Sequence, residues 1–135
     1  AAAIQLVEDH RRLVSGQTAL AVPSSDASEV ARGLSARLPF RVVIAEVAGA
    51  SLRGGQDCSL TQGRAAYVQY ESEGERVSVF VAPHLLAGTG EDPCRTVGGE
   101  TLCTFSGPGQ TVAVVAPRPE TARAFQRAAW IVGSP

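Results

Sequence analysis

Lysine and methionine are both absent from this chain of 135 residues, and all 12 basic side chains are arginine. Without lysine, the phosphate-binding loop that relies on an ammonium to reach the terminal phosphates is excluded. The two glycine pairs, Gly54-Gly55 and Gly98-Gly99, also lack the spacing of a dinucleotide fingerprint. The arginine-only usage reads as coding bias, and the missing methionine at position 1 as the mark of a processed product or an excised fragment. Three cysteines are too few for a disulfide-rich scaffold and an odd number for an exported protein. Charge of one sign is lacking too: 12 basic and 13 acidic residues leave a net charge of −1. The positive charge is scattered, which argues against a nucleic-acid footprint. No run of about 18 uncharged apolar residues is present to span a membrane, and no signal-peptide pattern opens the chain. What remains is 44% hydrophobic and 19% charged, the balance of one globular domain rather than a disordered chain or a coiled coil.

Apolar positions Ile4, Leu6, Val7, Leu13 and Val14, with semi-apolar His10, recur at helical spacing, and Gly16 is a suitable terminator, so a first helix is expected over 2–15. Ser24, Ser25 and Asp26 are capping residue types placed before Val30, Leu34 and Leu38, with Glu29 at the positive end of the dipole. They predict a second helix over 26–38, stopped by Pro39. From Phe40 the period shortens, and "RVVIAEVAG" reads as a strand or an extended pass. Gly54-Gly55 marks a turn or bulge, and strands follow over 56–61, 64–72 and 75–82. Gln62-Gly63 and Glu73-Gly74 make the tight connections that force antiparallel pairing. The stretch 83–99 is longer than an ordinary loop and reads as a flap. Strands resume over 100–106 and 110–116, and Pro119 opens a closing helix over 119–132 on which Ala122, Phe125, Ala129 and Trp130 share adjacent turns. The fold class expected is α+β, an antiparallel sheet of five or six strands across 40–116 with helices packed on one face.

Candidate chemistry is sparse. Cys94 and Cys103 bracket the Gly98-Gly99 turn closely enough for a disulfide. A bridge using Cys58, or three reduced thiols, are the alternatives, with Cys58 otherwise a free thiol buried as a small hydrophobe. A metal site would have to combine these cysteines with His84 or His10, and none of them stands at zinc-ligand spacing, so no metal or cofactor is expected. Ser24-Ser25-Asp26 has the residues of a nucleophile beside an acid, but helix capping accounts for it fully. Cys94 and His84 are a conceivable thiol–imidazole pair within one loop. Tyr67, Tyr70, Phe80 and Phe105 lie in strands without basic neighbours and read as core. The Arg11-Arg12 doublet reads as a solvated face, or as facing headgroups if an anchor lies upstream.

The segments "SSDASEVARGLSARLPF" (Ser24 to Phe40) and "ASLRGGQDCSLTQGRAAYVQYESEGERVSVFVAP" (Ala50 to Pro83) resemble the extracytoplasmic domain of bacterial transmembrane anti-sigma factors. The matching positions are Leu38, Phe40, Leu52, Gly54, Gly55, Gly63, Ala65, Ala66, Tyr70 and Val77 through Pro83. "HRRL" at His10 to Leu13 resembles the helix preceding that core, and "GQTVAVVAPRPETARAFQRA" from Gly109 to Ala128 the last strand and terminal helix. The resemblance implies a non-enzymatic domain on the periplasmic side of the inner membrane. It would belong to a single-pass regulator whose cytoplasmic part, outside this sequence, holds a sigma factor of the extracytoplasmic-function class. It also implies an oxidising compartment, which favours the Cys94–Cys103 pairing. A stimulus in the form of a periplasmic signal protein or a small ligand would act on the 83–99 loop, through His84, Glu91, Asp92 and Arg95. The alternative is a periplasmic ligand- or protein-binding module unrelated to transcription.

Overall fold

The structure, a computed structural model, describes residues 2–16, 19–60, 63–83, 94–107, 110–125 and 131–133. In chain order the elements are α1 (Ala2–Val14), α2 (Ala27–Arg37), β1 (Arg41–Val43), β2 (Ala50–Leu60), β3 (Gly63–Ser72), β4 (Glu75–Ala82), β5 (Cys94–Val97), β6 (Glu100–Gly107), β7 (Gln110–Ala116), α3 (Pro119–Ala124) and β8 (Ile131–Gly133). Six strands form one fully antiparallel sheet in the order β2-β3-β4-β7-β6-β5, and β1 with β8 forms a separate two-stranded ribbon. The fold is α+β, with helices packed against a six-stranded antiparallel sheet.

The helices do not share one face, as the sequence had suggested. Val68 and Tyr70 of β3, Val77, Val79 and Val81 of β4, and Val112 and Val114 of β7 point to one side. There they meet Val30 and Leu34 of α2, Phe40, and Ala122 and Phe125 from α3 and its cap. The alternate positions Tyr67, Phe80, Ala113 and Val115 point to the other side and meet Ala3, Leu6, Val7 and Leu13 of α1. Strands β3, β4 and β7 are therefore buried on both faces, which requires a layer on each. The aromatic pair Tyr67–Phe80, with centroids 5.2 Å apart, lies on the side that α1 covers.

Local signals set the boundaries. Asp26 caps α2 by accepting bonds from the amides of Ser28 and Glu29 at 2.9 and 3.3 Å, and Ser24 Oγ accepts from the Asp26 amide. Glu73 and Gly74 both take positive φ, the geometry that joins two twisted strands through a two-residue turn. Strand β2 begins six residues earlier than expected, because Gly54-Gly55 pairs within it, just after a bulge at Arg53, rather than forming a turn before it. At Gly54, φ is +141° and a Cβ would stand 2.4 Å from the Val22 carbonyl. The missing side chain lets Val22 bond Gly55 in both directions, at 2.9 and 3.0 Å.

Two expectations are corrected at the C-terminal side. The closing helix stops at Ala124, not at 132; the Phe125 amide turns back to Ala122 O at 3.2 Å, and 131–133 is extended and paired with β1. The helical spacing continues past Ala124, but β-branched Ile131 and Val132 gain a strand partner at Val42 and Val43. Within the expected flap over 83–99, 94–97 is strand β5, held by register to β6, and 84–93 lie outside the described residues.

Candidate functional site

Helix α1 reaches the sheet through an apolar stripe interrupted by one imidazole. His10 is 3% exposed and stands one turn from Leu6, Val7 and Leu13 on the same face. Opposite it lies Ser78, an inward position of β4 that is fully buried between Val77 and Val79. Beside Ser78 are Tyr67 and Gln69 of β3, also inward and buried. Each would be costly to bury alone, and together they satisfy one another.

The bonds form one line: Arg76 Nη1 to Gln69 Oε1 at 3.2 Å, Gln69 Nε2 to Tyr67 Oη at 3.0 Å, Tyr67 Oη to Ser78 Oγ at 2.7 Å, and Ser78 Oγ to His10 Nδ1 at 2.6 Å. Arginine can only donate, so Gln69 Oε1 accepts and its amide nitrogen donates onward, to Tyr67 and to the Leu13 carbonyl of α1 at 3.4 Å. Tyr67 accepts from Gln69 and passes its single proton to Ser78. Ser78 passes its own proton to His10. The line thus runs in one direction and ends on an unprotonated Nδ1, with the ring proton on Nε2 facing Glu100 Oε1 at 3.7 Å. That carboxylate oxygen is itself buried without a hydrogen bond. Burial, aided by the neighbouring Arg11 charge, holds the His10 pKa down to about 4. Burial pushes the Tyr67 phenol up.

Two further contacts tie α1 down. Arg11 donates to the Gly98 carbonyl in the β5–β6 turn, and the Cys58 thiol of β2 donates to Asp9 Oδ2 at 3.6 Å. Cys58 is free and buried, and burial together with the Asp9 charge raises its pKa to about 12, so it is a poor nucleophile while α1 is in place.

Cys94 and Cys103 are cross-strand neighbours in β5 and β6 and are joined by a disulfide. Bonded sulfur removes Cys94 from any thiol–imidazole pairing with His84. Arg95 lies exposed on β5, at the edge of the sheet, while His84, Glu91 and Asp92 lie outside the described residues. The structure therefore places one of the four candidate sensing residues, Arg95, which takes no part in the His10 line. Among the described residues no group of three or more His, Cys, Asp or Glu side chains is gathered to hold a metal ion.

On the opposite face an open groove of about 630 Å³ runs between the start of α2 and the segment leading into β2. Ser25, Glu46, Val47 and Leu52 line it, with Tyr70 at its base donating to Ala45 O at 2.6 Å.

The line under α1 escaped the sequence reading because His10 and Ser78 are 68 positions apart. The available signal was polar Gln69 and Ser78 at alternate positions of strands otherwise apolar on both faces. Compared with known protein families, with curated proteins and with solved structures, the chain finds no match.

Proposed function

We propose that this domain is the extracytoplasmic part of a membrane-anchored anti-sigma factor, that it has no chemistry of its own, and that α1 is the element through which it signals. The carrying observation is how α1 is held. It belongs to neither the α2–α3 layer nor the sheet; an apolar stripe, a buried line of hydrogen bonds and the Arg11 and Asp9 contacts hold it to the face it covers. A helix so attached has a docked and an undocked state, which is what transmission to a membrane segment requires. The resemblance supports the reading at structural positions. Leu38, Phe40 and Tyr70 sit in the core under α2, Gly54 and Gly55 follow the β2 bulge where Val22 approaches, and Val77 to Ala82 lies in β4. In this proposal the sigma factor binds a cytoplasmic segment outside this chain, and the domain faces the periplasm.

The test is to express the complete reading frame with a tagged C-terminus and recover it from membranes. A segment of about 20 apolar residues upstream of α1, and co-purification of a sigma factor of the extracytoplasmic-function class, are the expected results. A frame with no such segment and no sigma factor retained would overturn the reading. The groove at the start of α2 favours the second reading, a periplasmic binding module, which that outcome would leave in place.

A further inference from the structure

We propose that the hydrogen-bond line ending on His10 is an acid-sensitive latch, and that protonation of His10 releases α1 from the sheet. The inference deepens the preceding one by naming the stimulus, and rests on it only for α1 being the element that moves. The line starts at a donor that cannot reverse, Arg76, and each member passes one proton along to the unprotonated Nδ1 of His10. A proton on Nδ1 turns the terminal acceptor into a donor. Ser78 Oγ must then accept from both sides, and its own proton has no place in the line. Reversing Ser78 toward Tyr67 only moves the problem, because the Tyr67 proton is then stranded between Ser78 and Gln69. Either way a buried donor is left unmet on a fully enclosed strand. Undocking α1 resolves the conflict by giving the imidazolium and the hydroxyl to water.

The charges around the ring bear on the sign. From α1, Arg11 opposes a second positive charge, while Asp9 is engaged by the Cys58 thiol of β2 and by Arg12. From β6, Glu100 favours the imidazolium, but across 3.7 Å and on Nε2, where it does nothing for the conflict at Nδ1. From β3 and β4 come Tyr67 and Arg76, the latter spent on Gln69. Strand β7 carries no titratable residue, and Arg95 of β5 is exposed. With a ring held down to about 4 when docked against an ordinary 6.5 when free, docking is at full strength above pH 6.5 and weakens as pH falls toward 4. Between pH 7.5 and 5 the undocked fraction rises by about 30-fold on those values.

Cys58 reports the event, since its thiol lies under α1 and becomes reachable only when the helix lifts. Its labelling by a pyridyl disulfide, which reacts in acid, is measured on this chain at each pH and divided by the rate for the same chain unfolded in guanidinium. The expected ratio rises about 30-fold from pH 7.5 to 5, while amide protection in β4 and β7 persists. In His10→Gln, which keeps an acceptor and cannot charge, the ratio stays flat. A flat wild-type ratio, an equal rise in His10→Gln, or loss of β4 and β7 protection at the same pH would each overturn the latch. Should His10→Gln not fold, the His10 ring signal followed by NMR in the unsubstituted protein decides. Protonation accompanied by loss of amide protection in α1 supports the latch, and protonation with α1 still docked, at any pH, overturns it. Because no sigma factor enters these measurements, failure here leaves the anti-sigma reading to its own test.

Discussion

Tyr70 shows how much one hydroxyl contributes on the face opposite α1. Its ring packs edge-on against Phe125 at 5.1 Å, and its phenol donates to the Ala45 carbonyl, so one side chain ties β3 both to the cap of α3 and to the segment entering β2. Burial pushes the phenol well above its ordinary pKa, so it remains a donor at any pH the fold survives. Tyr70→Phe keeps the ring contact and takes the phenol donor from that carbonyl. Urea unfolding should show a loss of about 1–2 kcal/mol, the cost of an unmet buried polar group. An unchanged midpoint would mean that water in the adjoining groove replaces the phenol. Gly54 is a harsher case: Gly54→Ala sets a methyl against backbone rather than against a side chain that can turn away. It also forces an L-residue to φ +141°, so it is expected to destabilise by about 2–4 kcal/mol in the same assay. Stability within about 0.5 kcal/mol of the parent would show that the bulge relaxes around the new methyl.

At the scale of elements, the β5–β6 hairpin lies at the sheet edge and is four residues long on one side. Closing the loop from Cys94 to Cys103 removes unfolded-state freedom worth about 2.5 kcal/mol in the chain-entropy account. Cys94→Ala with Cys103→Ala should therefore lower stability by up to that amount. Fast amide exchange should appear first in β5 and in the turn that accepts the Arg11 bond. Protection unchanged in that hairpin would show that strand pairing alone holds it. The elements differ in how plainly the sequence announces them. Asp26 with Ser28 and Glu29, and Glu73 with Gly74, act within four residues, so their chemistry is visible in a short window. The valines of β4 alternate with Ser78 and Phe80, a pattern that already showed the second face to be other than polar. What such windows cannot contain is the partner across the fold. The β1–β8 ribbon joins residues about 90 positions apart, and nothing near Ile131 announces Val43. His10 likewise reads as one more position in a helical stripe until α1 is laid on the face that carries Ser78.

For the whole molecule, the sheet separates two cores that share strands but no helix. The larger contains Val30, Leu34, Phe40, Tyr70 and Phe125, and the smaller is α1 against Tyr67, Phe80, Leu102 and Val115. Truncating a buried leucine costs about 2–5 kcal/mol wherever it is placed, but where that cost appears depends on what can open without it. Leu34 sits at the centre of the larger core and is fully buried, so Leu34→Ala weakens contacts that persist until the sheet itself opens. Its loss should appear as a lower global unfolding free energy and faster exchange in β3, β4 and β7 together. Leu6 is as deeply buried, but every contact it makes in the smaller core is lost when α1 alone departs. Leu6→Ala should therefore raise exchange in α1 and expose Cys58 to labelling at neutral pH, with β4 and β7 still protected. Hydrogen exchange resolved by residue separates the outcomes. If both substitutions accelerate all elements equally, the two cores are one cooperative unit and α1 has no undocked state of its own. If only Leu6→Ala frees α1, the domain carries a helix that can leave while the sheet remains folded, as an acid latch and a membrane signal both require.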